Sequence, residues 1–71
     1  MITKLKPSDL GRHVIYRPAM GAPEMGRIKN YDNKIQVAWV VYKWGNEPAR
    51  WLEYTAAATN YSDLEFDKTY D

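Results

Sequence analysis

The sequence contains no cysteine and only one histidine, His13, and these absences exclude several kinds of site. Without cysteine there is neither a disulfide nor a thiolate zinc site. A chain without disulfides suits a reducing cytoplasm, so we expect a cytoplasmic protein. No Ser-His-Asp grouping, phosphate-binding loop or carboxylate pair with a plausible pocket accompanies His13. We therefore expect no enzyme activity, no metal and no cofactor.

Long apolar runs are also absent from the chain. No segment approaches the roughly 20 apolar residues that cross a bilayer. The amino-terminal segment carries Lys4, Lys6 and Asp9 and lacks the apolar region of a signal peptide. We therefore expect a soluble intracellular protein without a membrane partner.

The sequence has neither a sustained helical period nor a large excess of one charge. Apolar residues do not recur with a 3.6-residue period over any long segment, which argues against a helical bundle. The chain has 71 residues and a net charge of +1. This length predicts a single domain over residues 1–71 with a small core. The low net charge predicts no strong long-range attraction to nucleic acid.

The sequence does contain short β-prone runs separated by turn signals. The runs predict four strands, at residues 12–17, 25–29, 35–44 and 50–55. Residues 31–34 predict the turn of a hairpin, and Gly26 predicts a bulge or sharp bend in the second strand. Residues 61–64 predict one helical turn, after which Leu64 and Phe66 return to the core in a fifth strand. Five short strands in so short a chain predict an all-β, strongly bent antiparallel barrel.

The third predicted strand is apolar on both faces, which is the main sign of a binding surface. Side chains alternate between the two faces of a strand. One face carries Val37, Trp39 and Val41, and the other carries Ala38, Val40, Tyr42 and Trp44. A small domain has one core, so only one face can pack against it. The other face needs a cover: a loop, a second copy of the chain, or a partner.

The order of motifs along the chain carries a resemblance to a class of small barrels. The motifs are Gly11-x-x-Val14-x-Tyr16-x-Pro18, Glu24-x-Gly26-x-Ile28, Val40-Val41-Tyr42, residues 55–59, and Asp63-Leu64-Glu65. Over roughly residues 5–66 the chain resembles the SH3-like (Tudor/KOW-like) barrels that tailed phages and prophages encode as accessory proteins. The resemblance implies a five-stranded SH3-like antiparallel barrel with a short helical turn before the last strand. It also implies an inward-facing set, namely Val14, Tyr16, Ile28, Val40 and Tyr42, which leaves Trp39 outside.

The two-faced strand and the resemblance together predict a non-catalytic protein-binding module. The resemblance implies a phage or prophage accessory protein that binds and inhibits or otherwise modulates a host enzyme or defence component. Apolar rings would dock on the partner, and arginines would add charge pairing. The residues predicted to bind the partner are Trp39, Val37, Val41, Trp44, Trp51, Arg17, Arg50 and Met20.

Two alternatives remain open at the level of the sequence. One is a nucleic-acid-binding SH3/KOW-like module with a basic and aromatic surface, formed by Arg12, Arg17, Arg27, Lys29 and Tyr31. Its affinity would fall steeply with salt, whereas docking through Trp39 would change little. The other is a homodimer in which the third strand buries its second face against its own copy.

Overall fold

Five strands form one antiparallel sheet in the computed structural model, which describes residues 2–42 and 48–70. The strands are β1 (His13–Tyr16), β2 (Glu24–Asp32), β3 (Val37–Val41), β4 (Ala57–Asn60) and β5 (Leu64–Phe66). Short 3-10 helices span Pro7–Asp9, Pro48–Glu53, Tyr61–Asp63 and Lys68–Tyr70. The order across the sheet is β4-β3-β2-β1-β5, and β4 and β5 do not pair within the described residues. The predicted five-stranded antiparallel sheet and the helical turn before the last strand are confirmed.

The fourth strand lies later in the chain than the sequence indicates. Residues 50–55 were expected to be a strand, but Pro48–Glu53 forms two short 3-10 turns that meet at Arg50. Proline fixes its own φ angle and has no N–H to donate to a sheet. The Arg50 guanidinium also binds the Glu53 carboxylate three residues later, at 2.5 and 2.7 Å, which favours a turn. The strand therefore begins at Ala57, where small side chains pair with β3.

One face of the sheet packs on the hydrophobic core. The buried core residues are Ile2, Leu5, Val14, Ile28, Ala38, Val40, Tyr61 and Leu64. Four rings pack partly buried against them, namely Tyr16, Tyr31, Tyr42 and Phe66. The inward-facing set expected from the resemblance is confirmed, with the two tyrosines at the edge of the core.

A bulge in β2 changes which residues face the core. The pairing of β2 with β3 shifts between Ile28 and Asn30, so that Ile28 pairs with Val40 and Asn30 pairs with Trp39. The extra residue, Lys29, interrupts the alternation of faces. As a result, Tyr31 packs against the core instead of sharing a face with Lys29. The bulge expected at Gly26 is therefore misplaced: Gly26 pairs regularly with Val14, and the register shift lies between Ile28 and Asn30.

Asn33, in the turn between β2 and β3, joins distant parts of the chain. Its side-chain oxygen accepts hydrogen bonds from the Leu5 backbone N–H at 2.9 Å and from the Tyr61 hydroxyl at 2.7 Å. Its side-chain amide donates to the Leu5 carbonyl at 2.8 Å. The side chain thus holds the amino-terminal segment and the start of the Tyr61–Asp63 helix against the hairpin.

Gly26 allows β2 to lie close to the end of β3. A Cβ atom at this position would lie 2.4 Å from Val40 Cγ1 and 2.9 Å from the Val41 carbonyl oxygen. We expect Gly26→Ala to lower the free energy of unfolding by about 1–3 kcal/mol, because a filled core must shift to accept the methyl group. Urea unfolding measures this loss. The exposed position Asn30, changed to alanine on the same strand, is the control, and equal effects of the two substitutions would contradict the close approach.

Candidate binding surface

The outer face of the sheet is partly covered by the Pro48–Glu53 helix. The guanidinium carbon of Arg27 lies 4.3 Å from the centre of the Trp51 ring, and Arg27 Nε donates to the Gly11 carbonyl oxygen at 2.9 Å. Lys29 Nζ donates to the Tyr54 carbonyl oxygen at 3.1 Å, just after the helix. These two basic side chains of β2 therefore hold the segment against the sheet.

Two residues expected on the binding surface are buried. Trp51 is 8% exposed, because its ring lies beneath Arg27 and against the sheet. Val41, which pairs with Arg27 across β2 and β3, is 0% exposed. The expectation that these side chains are available to a partner is wrong. A loop of the same chain supplies the cover at this end of β3.

A second ring contact covers the neighbouring part of the outer face. The imidazole of His13 in β1 stacks on the ring of Tyr70, with ring centres 3.8 Å apart and planes 14° from parallel. His13 and Arg27 are directly opposite each other in β1 and β2. The Lys68–Tyr70 helix thus lies beside the Trp51 segment, and His13 has a packing role.

Trp39 lies at the end of the outer face that these segments leave open. Its neighbours across the sheet are Asn30 in β2 and Ala58 in β4, whose short side chains leave the indole half-buried. An open groove of about 530 Å³ runs beside the ring. The groove is lined by Lys29, Asn30, Trp39, Thr55 and Ala56. Val37 is also half-buried on this face, two residues before Trp39.

The remaining residues predicted to bind a partner lie in separate places. Met20 is 90% exposed in the loop between β1 and β2. Arg17 and Arg50 are exposed and form ion pairs within the chain, with Glu65 and Glu53 respectively. Trp44 lies outside the described residues.

The basic and aromatic surface of the nucleic-acid alternative is divided by the fold. Tyr31 packs on the core side because of the bulge. Arg12 binds the buried Asp9 carboxylate at 3.1 Å and lies 3.6 Å from the centre of the Phe66 ring. Arg27 and Lys29 bind backbone carbonyl oxygens, as described above. Each basic side chain of that set therefore has a role inside the chain.

Thr55 and Ala56 of the groove were not expected from the sequence. Both follow the Pro48–Glu53 helix, and the groove exists because that helix occupies only part of the outer face. The short run of alanines at residues 56–58 is the only, weak, sequence signal for them. Small side chains after a bulky segment leave space beside a neighbouring ring.

Comparison of the chain with protein-family models, curated proteins and solved structures gave no match. In the described part of the chain, no helix has the length and apolar character needed to cross a bilayer. The same part contains no group of three His, Cys, Asp or Glu side chains placed to hold a metal ion.

The two described tryptophans differ in how far the fold depends on them. We expect Trp51→Ala to lower the free energy of unfolding by about 3–5 kcal/mol, because it removes a buried ring and the contact beneath Arg27. Trp39→Ala should cost less, since the indole is only partly buried. Urea unfolding of both variants measures the difference. Equal losses would contradict the placement of Trp51 beneath the Arg27 side chain.

Two tyrosines should ionise at a higher pH than ordinary tyrosines. Burial raises the pKa of Tyr42, and the nearby Tyr16, Glu24 and Asp63 raise it further against a lowering hydrogen bond with Thr59. Burial also raises the pKa of Tyr61. The folded state therefore holds the phenol protons of Tyr42 and Tyr61 more tightly than the unfolded state does. The stability that these two protonated tyrosines contribute is fully present below about pH 10, the pKa of tyrosine in unfolded chains. It is lost as the pH rises through the higher pKa of the folded state.

Urea unfolding at a series of alkaline pH values, with phenolate absorbance recorded alongside, tests this dependence. In Tyr42→Phe the free energy of unfolding should fall less as the pH rises. The absorbance titration of this variant should also lack one phenol that ionises at high pH. An unchanged pH dependence in that variant would contradict the raised pKa of Tyr42.

Proposed function

We propose that the chain is a non-catalytic protein-binding module that docks through Trp39 and the groove beside it. The observation that carries the proposal is the unequal cover of the outer face of β3. Val41 is buried at one end of this face, where Arg27 beside it stacks on the buried Trp51, while a half-buried indole remains at the other end next to an open groove. Tryptophan beside a groove is typical of the anchor residues that dominate binding energy at protein interfaces.

We further propose that the sheet belongs to an SH3-like barrel. The strand order supports this assignment: β1 to β4 pair in succession, and β5 pairs with β1 after the Tyr61–Asp63 helix. The motif order given above supports a phage or prophage accessory protein, acting in the host cytoplasm. The partner we propose is therefore a host enzyme or defence protein, which the chain modulates by steric obstruction.

Arg17 and Arg50 fit this mechanism as secondary contacts. Both are exposed, and their partners Glu65 and Glu53 are exposed as well. Exposed ion pairs contribute only about 0–1 kcal/mol, so either arginine can exchange its internal carboxylate for one on a partner at little cost. The two arginines lie in separate places on the surface, so the acidic groups that they pair with on a partner lie outside the site that receives Trp39.

Affinity capture from host lysate tests the docking surface. We expect the immobilised chain to retain a specific protein, and Trp39→Ala to lose it while keeping the circular dichroism spectrum of the parent chain. Ile35→Ala is the matched control, since Ile35 is a large apolar residue that is 62% exposed outside the groove. Retention should change little when salt rises, because the contact is apolar.

Three outcomes would contradict the proposal. One is capture of the same protein by Trp39→Ala and by the parent chain. Another is retention that depends on nucleic acid and falls steeply with salt, which would indicate phosphate contacts. The third is a dimer, seen by light scattering, that dissociates in Trp39→Ala, because the Trp39 face would then serve self-association.

A further inference from the structure

Two adjoining clefts lie where the amino-terminal segment meets β5 and the last 3-10 helix. Their volumes are about 390 and 490 Å³, and the side chains of Lys4 and Phe66 line both of them. Lys68 also lines the smaller cleft, and Lys6 also lines the larger one. The two clefts together, with their three lysines around Phe66, are called the lysine surface below.

The amino-terminal segment is fixed by its backbone and by two buried side chains. The Ile2 N–H donates to the Leu64 carbonyl oxygen of β5 at 3.2 Å, and Asn33 binds both backbone groups of Leu5. Ile2 and Leu5 are both buried in the core. The backbone between them is therefore held in place, while the side chain of Lys4 is exposed.

The carboxyl-terminal segment is fixed in a similar way. Asp67 is buried, and its N–H donates to the His13 carbonyl oxygen at 2.9 Å. Its carboxylate accepts a hydrogen bond from the Thr69 N–H at 3.0 Å. These bonds place the exposed Lys68 directly after β5, on the opposite side of Phe66 in the sequence from the paired strand residues.

The positive charges of the lysine surface are not balanced within the described part of the chain. The two carboxylates of its lining already bind arginines, Asp9 with Arg12 and Glu65 with Arg17. By contrast, the ammonium groups of the three lysines form no ion pair or hydrogen bond with another described residue. Three exposed positive charges without an internal partner favour a negatively charged occupant.

The aromatic content of this surface distinguishes between negatively charged polymers. Proteins that bind single-stranded nucleic acid stack its bases on aromatic rings beside the basic groups. Phe66 is the one ring among the described residues that line the two clefts. It packs against the core and lies beneath Arg12, whose guanidinium carbon is 3.6 Å from the ring centre. This ring is therefore a poor platform for a base.

We propose that the lysine surface binds an acidic polypeptide segment, that is, a run of glutamate or aspartate side chains on a partner. Lysine carries its charge on a flexible stem, so three lysines can pair with carboxylates at varied spacing along such a segment. The contact is electrostatic and exposed, so it weakens as the salt concentration rises. The inference does not rest on the docking proposal, because no residue of the Trp39 groove lines the lysine surface.

An NMR titration with a matched pair of short peptides tests the proposal. Acetylated tetraglutamate amide carries four carboxylates, and acetylated tetraglutamine amide has nearly the same shape without charge. We expect tetraglutamate to shift the backbone amide signals of residues 2–6 and of Lys68, with a dissociation constant on the order of a millimolar at low salt. Tetraglutamine should leave these signals in place.

Single-charge variants locate the binding. Lys4→Gln and Lys68→Gln should each weaken the binding of tetraglutamate about two- to fivefold, the range expected for one exposed ion pair. Lys34→Gln is the matched control, because it removes the same charge from an exposed turn outside both clefts. It should leave the affinity unchanged. Trp39→Ala should also leave it unchanged, so failure of the docking proposal and failure of this one are separable.

Four results would overturn the proposal. The first is an equal response to tetraglutamate and tetraglutamine, and the second is no response at saturating tetraglutamate. The third is equal weakening by Lys4→Gln and Lys34→Gln, which would indicate a general effect of net charge. The fourth is tighter binding of tetrathymidylate than of tetraglutamate at the same signals, which would assign the surface to nucleic acid.

Discussion

The burial of β3 on both faces is the constraint on which the rest of the structure depends. Ala38 and Val40 pack into the core on one side, so Val41 on the other side needs a second cover. The Pro48–Glu53 helix supplies that cover and is held by the contact of Trp51 with Arg27. Because the helix is short, it reaches only one end of the face. The groove beside Trp39 lies on the part of this face that the short helix does not cover.

The charged side chains divide the surface into two kinds of region. All four arginines bind a carboxylate or a backbone carbonyl oxygen of the same chain. The carboxylates of Glu24 and Asp63 are not used in this way. A net charge of +1 thus conceals a local excess of negative charge at the cleft lined by Tyr16, Glu24, Tyr42 and Asp63. The apolar groove and this cleft present different chemistry from two sides of β4.

A run of β-prone residues predicted β3, and the turn signal before it predicted the hairpin. The two-residue period of a strand then divided the side chains of β3 between its two faces. The two-residue period predicts the wrong face for Tyr31, because the extra residue Lys29 exchanges the two faces of β2 beyond it. No residue type at this position indicates a bulge. Trp51 was predicted to lie in a strand because residues 50–55 have high β propensity. Its actual conformation is set by Pro48 and by packing under Arg27.

Asn33 has a consequence for how fast the chain folds. Its hydrogen bonds reach Leu5 and Tyr61, each separated from it by 28 positions in the sequence. Such contacts form only after long loops have closed, and all-β chains rich in them fold in about milliseconds to seconds, more slowly than helical chains of similar size. We therefore expect the Asn33 junction to form late. Substitutions there should speed unfolding more than they slow folding. The lifetime of the folded state, and with it resistance to proteolysis, then depends on a turn that does not line the Trp39 groove.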